Sequence, residues 1–447
     1  MLRKEVIART IHKIHKSRPK KIFIETNHGI ETKFEIFNNS LDNGHGRSGV
    51  ITGPIKGAKS SSISLNINRF AKQMLLPIGY PHSVHSCYKK THVYQFLETT
   101  SGSIIATLCA HSLLASVGVS NSAAEAATAS VAIKWVLKDG VGEILKLLFI
   151  QQASYLFDSY PKTAKLMGEL LSISGAYVQL LTVFYPPQWF LPLASIAFCF
   201  RGIHYSIWSA THTTFCKLSG DNIGDLISKD DAQVSLAHLI GLLTGVSLLS
   251  FFSSPATILP IFCFLSAVQV YCTVLFVQNA NFEVLNTPRL QILSNRYIQT
   301  NGEAIYTIKT IPESWLGEFP PVNSKSPSIH QAKSIRQLFQ DAGIDKVEQS
   351  IALFENEKFL IVEGGKEYWI LLQQGAAGTD YIKALLLISK WNHLVRSHEK
   401  IDDSVIQEAI KWTDNHIDAF YDLLDANGWK RDSVVWPDLG VRFRLQD

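Results

Sequence analysis

The sequence predicts a mainly α fold, with a multi-helical, membrane-embedded domain followed by a small C-terminal α+β domain. The main observation is the clustering of apolar sequence. Residues 101–280 hold only eight Lys/Arg and nine Asp/Glu, whereas the whole 447-residue chain is 18% charged. Three runs carry no charge at all, 99–124, 170–200 and 232–282, and the last is 51 residues long. A helix crosses a bilayer with roughly 20 predominantly apolar residues, so these runs could cross several times. The second observation is the return, beyond about residue 301, of alternating apolar runs, Gly-Gly turns and ordinary charge. That pattern describes a soluble α+β unit.

Taken in order, the chain divides into a basic N-terminal segment with a disordered linker (1–70), a helical membrane domain (71–300), a linker (301–330) and the α+β domain (331–447). Residues 1–98 carry 16 Lys/Arg against 6 Asp/Glu, a local charge of +10 that leaves −6 for the remainder. Such a basic stretch favours an anionic lipid surface. Nucleic acid is not expected as a partner, because no helix-turn-helix, zinc finger or aromatic RNA-binding motif accompanies the charge. Arg3, Lys4, Arg9, Lys13 and Lys16 surround Ile7, Ile11 and Ile14, as in an amphipathic surface helix or a targeting segment. Residues 22–24 and 33–37 alternate like strands of a hairpin turning at Asn27-His28-Gly29. Gly44-His45-Gly46-Arg47-Ser48-Gly49 matches GxGxxG in form, but no strand precedes it and Pro54 forbids the helix that should follow. The six cysteines show no CxxC pair and read as reduced packing residues. His82, His85 and His92 fit no zinc spacing, so no metal site is expected.

Leu75 to Val84 contains two prolines and a glycine and must turn. Helical segments follow at 103–119, 123–137, 143–155, 166–185 and 189–215. Polar islands interrupt them at 138–142 and 221–233. Two further spans, 237–252 and 257–279, meet at Ser253-Ser254-Pro255. In the last domain, 358–373 forms a hairpin around Gly364-Gly365. Helices at 379–395 and 402–424 and a strand at 441–445 complete a ββααβ order.

The islands supply the candidate ligand-binding residues: Lys138, Asp139, Arg201, Asn222, Asp225, Lys229 and Asp230, with Arg289 beyond them. Ionisable groups at membrane depth are costly and usually mark a pathway or site. On that basis Asp225 or its neighbours would re-enter the helices and pair with Lys138 or Arg201. The plain alternatives are a solvated loop for 221–233 and an interfacial pair for Lys138 and Asp139, with the lysine snorkelling. No nucleophile elbow, HExxH or Walker A motif is present, so no catalytic residue is assigned and an enzyme is the third reading.

Several marks in this order resemble the root UVB sensitive family. They are Leu76-Pro77-x-Gly79-Tyr80-Pro81-x-Ser83-Val84, Gly118-Val119, Trp135-x-x-Lys138-Asp139-x-x-Gly142, Asn222-x-x-Asp225-x-x-x-Lys229-Asp230-x-Gln233 and Leu285-Asn286-x-x-Arg289-Leu290. The aromatic triplet after the Gly-Tyr-Pro segment reads Tyr88, Thr91, Tyr94, and a family Ala-Thr-Arg reads Ala210-Thr211-His212. The resemblance implies a membrane protein, plastidial in plant members, with a role in vitamin B6 homeostasis and in UV-B and developmental responses. Its expected partners are the lipid membrane and another family member or a second copy of itself. No cofactor is evident in the residues, and pyridoxal phosphate enters only through the family. The activity expected first is binding or transport of a small anionic metabolite. The rivals are a membrane-anchored scaffold acting through the C-terminal domain and a soluble helical bundle.

Overall fold

In the computed structural model the described residues are 21–27, 30–37, 49–52, 70–117, 126–153, 155–313, 317–318, 327–332, 334–364, 367–397, 403–438 and 440–444. The N-terminal basic residues, the GxGxxG-like motif apart from Gly49, most of the linker before residue 70, Gly118-Val119 and residues 319–326 lie outside them. Two compact units divide the chain: Met1–Ser86 with Ser219–Ser235, and Cys87–Leu218 with Leu236–Asp447.

In the first unit, β1 (Lys21–Asn27) and β2 (Ile30–Phe37) form the expected antiparallel hairpin, and β3 (Gly49–Thr52) adds to β2. A helical turn at 70–75 leads into the Leu76–Pro81 bend, where Gly79 has φ +79° and the Tyr80-Pro81 peptide is cis.

The second unit begins with long helices: α1 (Tyr88–Val117), α2 (Ala126–Ala153), the short α3 (Tyr155–Ser159), α4 (Pro161–Leu181), α5 (Phe190–Ser219), α6 (Ile223–Phe251) and α7 (Pro255–Asn279). The first turns of α6 belong to the first unit. Two expectations are corrected here. Residues 138–142 do not separate two helices but lie inside α2, and 223–233 is not a loop but the start of α6. A glycine costs a helix only about 1 kcal/mol, and Gly142 turns that cost to use. A Cβ there would lie 3.2 Å from the backbone carbonyl carbon of Phe198, so glycine lets α2 approach α5.

Prolines act as starters: Pro161 and Pro255 occupy first-turn positions, where the missing N–H costs nothing. Ser254 caps α7 by accepting the Thr257 N–H. Four helical stretches are long and apolar enough to cross a membrane: Pro161–Phe184, Pro187–Ser219, Ile223–Phe251 and Pro255–Asn279. Only 17% of the most apolar window of Ile223–Phe251 is buried within the protein. Leu239, Leu243, Val246 and Phe251 of α6 and Phe264 and Tyr271 of α7 are exposed.

Past residue 282 helices mix with a sheet. β4 (Leu285–Asn286) pairs in parallel with β8 (Val434–Val435), and α8 (Thr287–Gln299) follows. β6 (Phe359–Glu363) and β7 (Glu367–Gln373) are antiparallel, as the Gly-Gly turn predicts. The other edge of β7 is shared by β5 (Ser328–Gln331) and β9 (Arg442–Phe443), both parallel to it. Helices α9 (Ile335–Ala342), α10 (Ile344–Leu353), α11 (Gly378–Ser397) and α12 (Asp403–Ala426) complete this part. α9, α10, β5 and β8 were not foreseen. Leu290, Leu293 and Tyr297 of α8 lie in one core with Ile361, Ile370, Leu385 and Phe420. Leu285 and α8 thus share a core with the α+β residues expected at 331–447. α12 ends where Gly428 adopts φ +85° and the Trp429 N–H reaches back to the Leu424 carbonyl. The turn seats Trp429 in the core, with its indole N–H on the Tyr306 carbonyl at 2.9 Å.

Candidate functional site

Three of the island residues act together within the first unit. Asp225, Lys229 and Gln233 recur every four residues, so they share one face of α6. Asp225 Oδ2 accepts the Ile78 N–H at 2.7 Å, Lys229 Nζ donates to the Gln73 carbonyl at 2.6 Å, and Gln233 Nε2 donates to the Leu75 carbonyl at 2.6 Å. This face grips the main chain of the Leu-Pro-x-Gly-Tyr-Pro bend, whose prolines leave it short of its own hydrogen bonds. Gly220 is needed because a Cβ there would stand 2.8 Å from the Ser83 carbonyl oxygen. Asp225→Ala removes a charge-assisted bond worth about 1.5–3 kcal/mol at most. It is expected to make the 73–80 segment more susceptible to limited proteolysis, while Asp225→Asn should be milder.

In the second unit the ionisable groups line up along α4. Lys162, Lys165, Glu169 and Gln179 lie on one face and are all buried. Lys165 Nζ donates to Glu98 Oε1 of α1 at 2.9 Å, and Gln269 Nε2 of α7 donates to Glu169 Oε2 at 2.8 Å. His204 of α5 gives its Nδ1 proton to the Gly168 carbonyl at 2.9 Å, leaving Nδ1 4.0 Å from Glu169 Oε1. Arg201, one turn before it, donates to Gln179 Oε1 at 3.0 Å. At 1.5 Å per residue the ladder from 162 to 179 is about 25 Å long, close to the roughly 30 Å hydrocarbon core of a bilayer.

The start of the ladder opens into a cleft of about 410 Å³, open solvent included, lined among others by Asp158, Lys162, Thr214, Asn286, Arg289 and Glu318. Asn286 caps α8 by accepting the Arg289 N–H at 3.2 Å, which directs the Arg289 side chain back over the preceding loop. There its guanidinium donates to the Phe282 and Val284 carbonyls and, through Nε, to Glu313 Oε1. Lys162 Nζ donates to the other oxygen of Glu313 at 2.7 Å. Burial pushes the Glu313 carboxyl up, but Arg289 and Lys162 outweigh it and hold it below the usual carboxylate range. Glu318 closes the start of α4, accepting the Lys162 N–H at 2.9 Å and the Thr163 N–H at 3.1 Å. Burial raises its pKa, and Lys162 and Arg289 only partly oppose that. The stretch whose composition suggests a linker thus supplies both carboxylates.

The predicted residues therefore separate. Asp225 and Lys229 bind backbone; Asn222 is exposed ahead of α6, and Asp230 is buried on it. Lys138 does not snorkel. It is 1% exposed, with Nζ 3.5 Å from the Phe198 ring centroid, 4.3 Å from that of Trp135 and 2.6 Å from the exposed Asp139. Its charge is met by a carboxylate and two ring faces. Within the first unit Asp225 accepts the Ile78 amide proton; within the second Lys138 pairs with Asp139 and Arg201 donates to Gln179. Arg289 alone joins the cleft. Lys162, Lys165, Glu169, Glu98, His204, Gln269, Glu313 and Glu318 were missed. The available signal was the i, i+3, i+7 spacing of Lys162, Lys165 and Glu169 beside an uncharged run, which marks a polar stripe on an apolar helix.

A family model described as "Vitamin B6 photo-protection and homoeostasis domain" matches residues 62–301. The chain is 29% identical to Protein root UVB sensitive 6 of Arabidopsis thaliana over 323 residues, 71% of this chain and 62% of that protein. It therefore spans less than two thirds of that relative. Over 372 residues it is 24% identical to Protein root UVB sensitive 2, chloroplastic, with 82% and 83% of the two chains covered. For Protein root UVB sensitive 3 the identity is 24% over 414 residues, 88% and 91%. Both of these relatives are also from Arabidopsis thaliana. No solved structure matches.

Proposed function

Because the chain belongs to the root UVB sensitive family, we propose that its helical part is integral to a membrane, where it binds and passes a small anionic metabolite. The domain description points to the vitamin B6 pool, so a phosphorylated B6 vitamer such as pyridoxal 5′-phosphate is the first ligand to test. The observation that carries this reading is the buried ladder itself: lysines and glutamates inside helices whose outer faces are apolar. Ionisable groups so placed are expensive and characteristic of pathways. At its mouth Lys162 and Arg289 hold the Glu313 carboxylate between them, so an incoming anion has a defined place to take by exchange. The apolar outer faces of α6 and α7 favour lipid over water.

Carbonate extraction followed by reconstitution tests both halves. The full chain is expected in the pellet, and its liposomes should take up pyridoxal 5′-phosphate but not uncharged pyridoxine. Lys162→Met should cut that uptake about tenfold or more, the equivalent of one charge-assisted hydrogen bond. Release to the supernatant would overturn the membrane reading. Retention in the pellet without uptake would overturn transport alone.

A further inference from the structure

The middle of the ladder holds two carboxyl groups side by side. Glu98 and Glu169, each 4% exposed, are within hydrogen-bond reach of one another. Lys165 satisfies Oε1 of Glu98, but no donor reaches its buried Oε2 among the described residues. Gln269, which donates to Glu169 from α7, has its Oε1 buried without a hydrogen bond, as has Ser266 Oγ three residues before it on the same helix. Two carboxylates in contact in a low-dielectric site cannot both stay ionised. An unsatisfied buried acceptor costs about 1–3 kcal/mol, more when it is charged. One added proton eases both problems within the pair, since it leaves one negative charge for Lys165 and gives the contact between the two carboxyl groups a donor.

We propose that Glu98 and Glu169 share a single proton, making a proton-binding site in the centre of the helical bundle, and that loading this site is coupled to movement of the anion along α4. The coupling rests on the transport reading above; the proton site does not. The groups around the pair are Lys165 of α4, His204 of α5 with Arg201 beyond it, and Gln269 and Cys272 of α7. His204 spends its Nδ1 proton on the Gly168 carbonyl and holds that same nitrogen 4.0 Å from Glu169 Oε1, so the imidazole borders the pair. Such carboxyl and histidine chains are the usual material of proton relays at membrane depth.

Infrared difference spectroscopy on the full chain in lipid nanodiscs reads the proton directly. At neutral pH a protonated-carboxyl C=O band that shifts in D2O is expected, and both Glu98→Gln and Glu169→Gln should abolish it, because each breaks the shared arrangement. If one variant fails to fold, the other decides, together with loss of the band when the wild type is made alkaline. Absence of the band at neutral pH, or a band that survives either substitution, overturns the proposal. In the uptake assay an inward proton gradient should accelerate the wild type and not Glu169→Gln; uptake indifferent to the gradient overturns the coupling. A band without any uptake keeps the proton site and removes the transport reading.

Discussion

Gly241→Leu is expected to lower the stability of the helical part by about 3 kcal/mol or more, the upper range for forced overpacking. A Cβ at Gly241 would stand 2.4 Å from Ser103 Cβ and 2.6 Å from the Thr100 carbonyl oxygen, and one at Gly245 2.7 Å from Thr107 Cβ. The backbone of α6 therefore lies directly against Ser103, Thr107 and the Thr100 carbonyl of α1, through a Gly-x-x-x-Gly face. The Ser103 hydroxyl and His238 Nδ1 meet across it at 2.6 Å. Small residues spaced four apart let two helices approach this closely. Even alanine at 241 must push the helices apart, so Gly241→Ala should fall between wild type and leucine in thermal unfolding of the purified protein. Gly140→Ala is the control. Nothing lies within 4 Å of a Cβ there, and removing a helical glycine should be neutral or stabilising by up to about 1 kcal/mol.

Lys165→Met is expected to cost about 3–5 kcal/mol, the usual penalty for removing one partner of a buried ion pair. Lys165 and Glu98 are 6% and 5% exposed at the side chain, so solvent offers little relief. Methionine keeps the length and leaves a carboxylate pair with no ammonium against it. Adding Glu98→Gln should recover part of the loss, because the double variant leaves one buried carboxyl, that of Glu169, where the single variant leaves two. A double-mutant cycle measured by chemical denaturation checks this; a double variant as unstable as the sum of the two singles would remove the pair from the account.

The two halves of the chain were not equally legible. The Gly364-Gly365 hairpin, the helices after it and the Asn427-Gly428 stop rest on turn chemistry a few residues long, and such signals survive into the fold. Residues 138–142 and 223–233 were misread as interruptions because charges and glycines break the apolar pattern. In the folded chain that same polarity is internal to helices: Gly142 admits the backbone of α5, Lys138 lies on aromatic rings, and Asp225 and Lys229 grip the 73–78 main chain. Local composition cannot distinguish a polar loop from a polar helical face whose partner lies about 150 residues away in sequence.

By itself the sequence determined the family, the predominance of helix and the apolar runs at 170–200 and 232–282, all of which depend on residue order within windows of 10–20 positions. The tertiary structure alone decided which charges meet. Lys162, 151 residues before Glu313, shares that carboxylate with Arg289, and Lys165 finds Glu98 67 residues upstream. An ion pair inside a bundle is set by helix rotation and depth. Those follow from the packing of every helix at once, which no local pattern records.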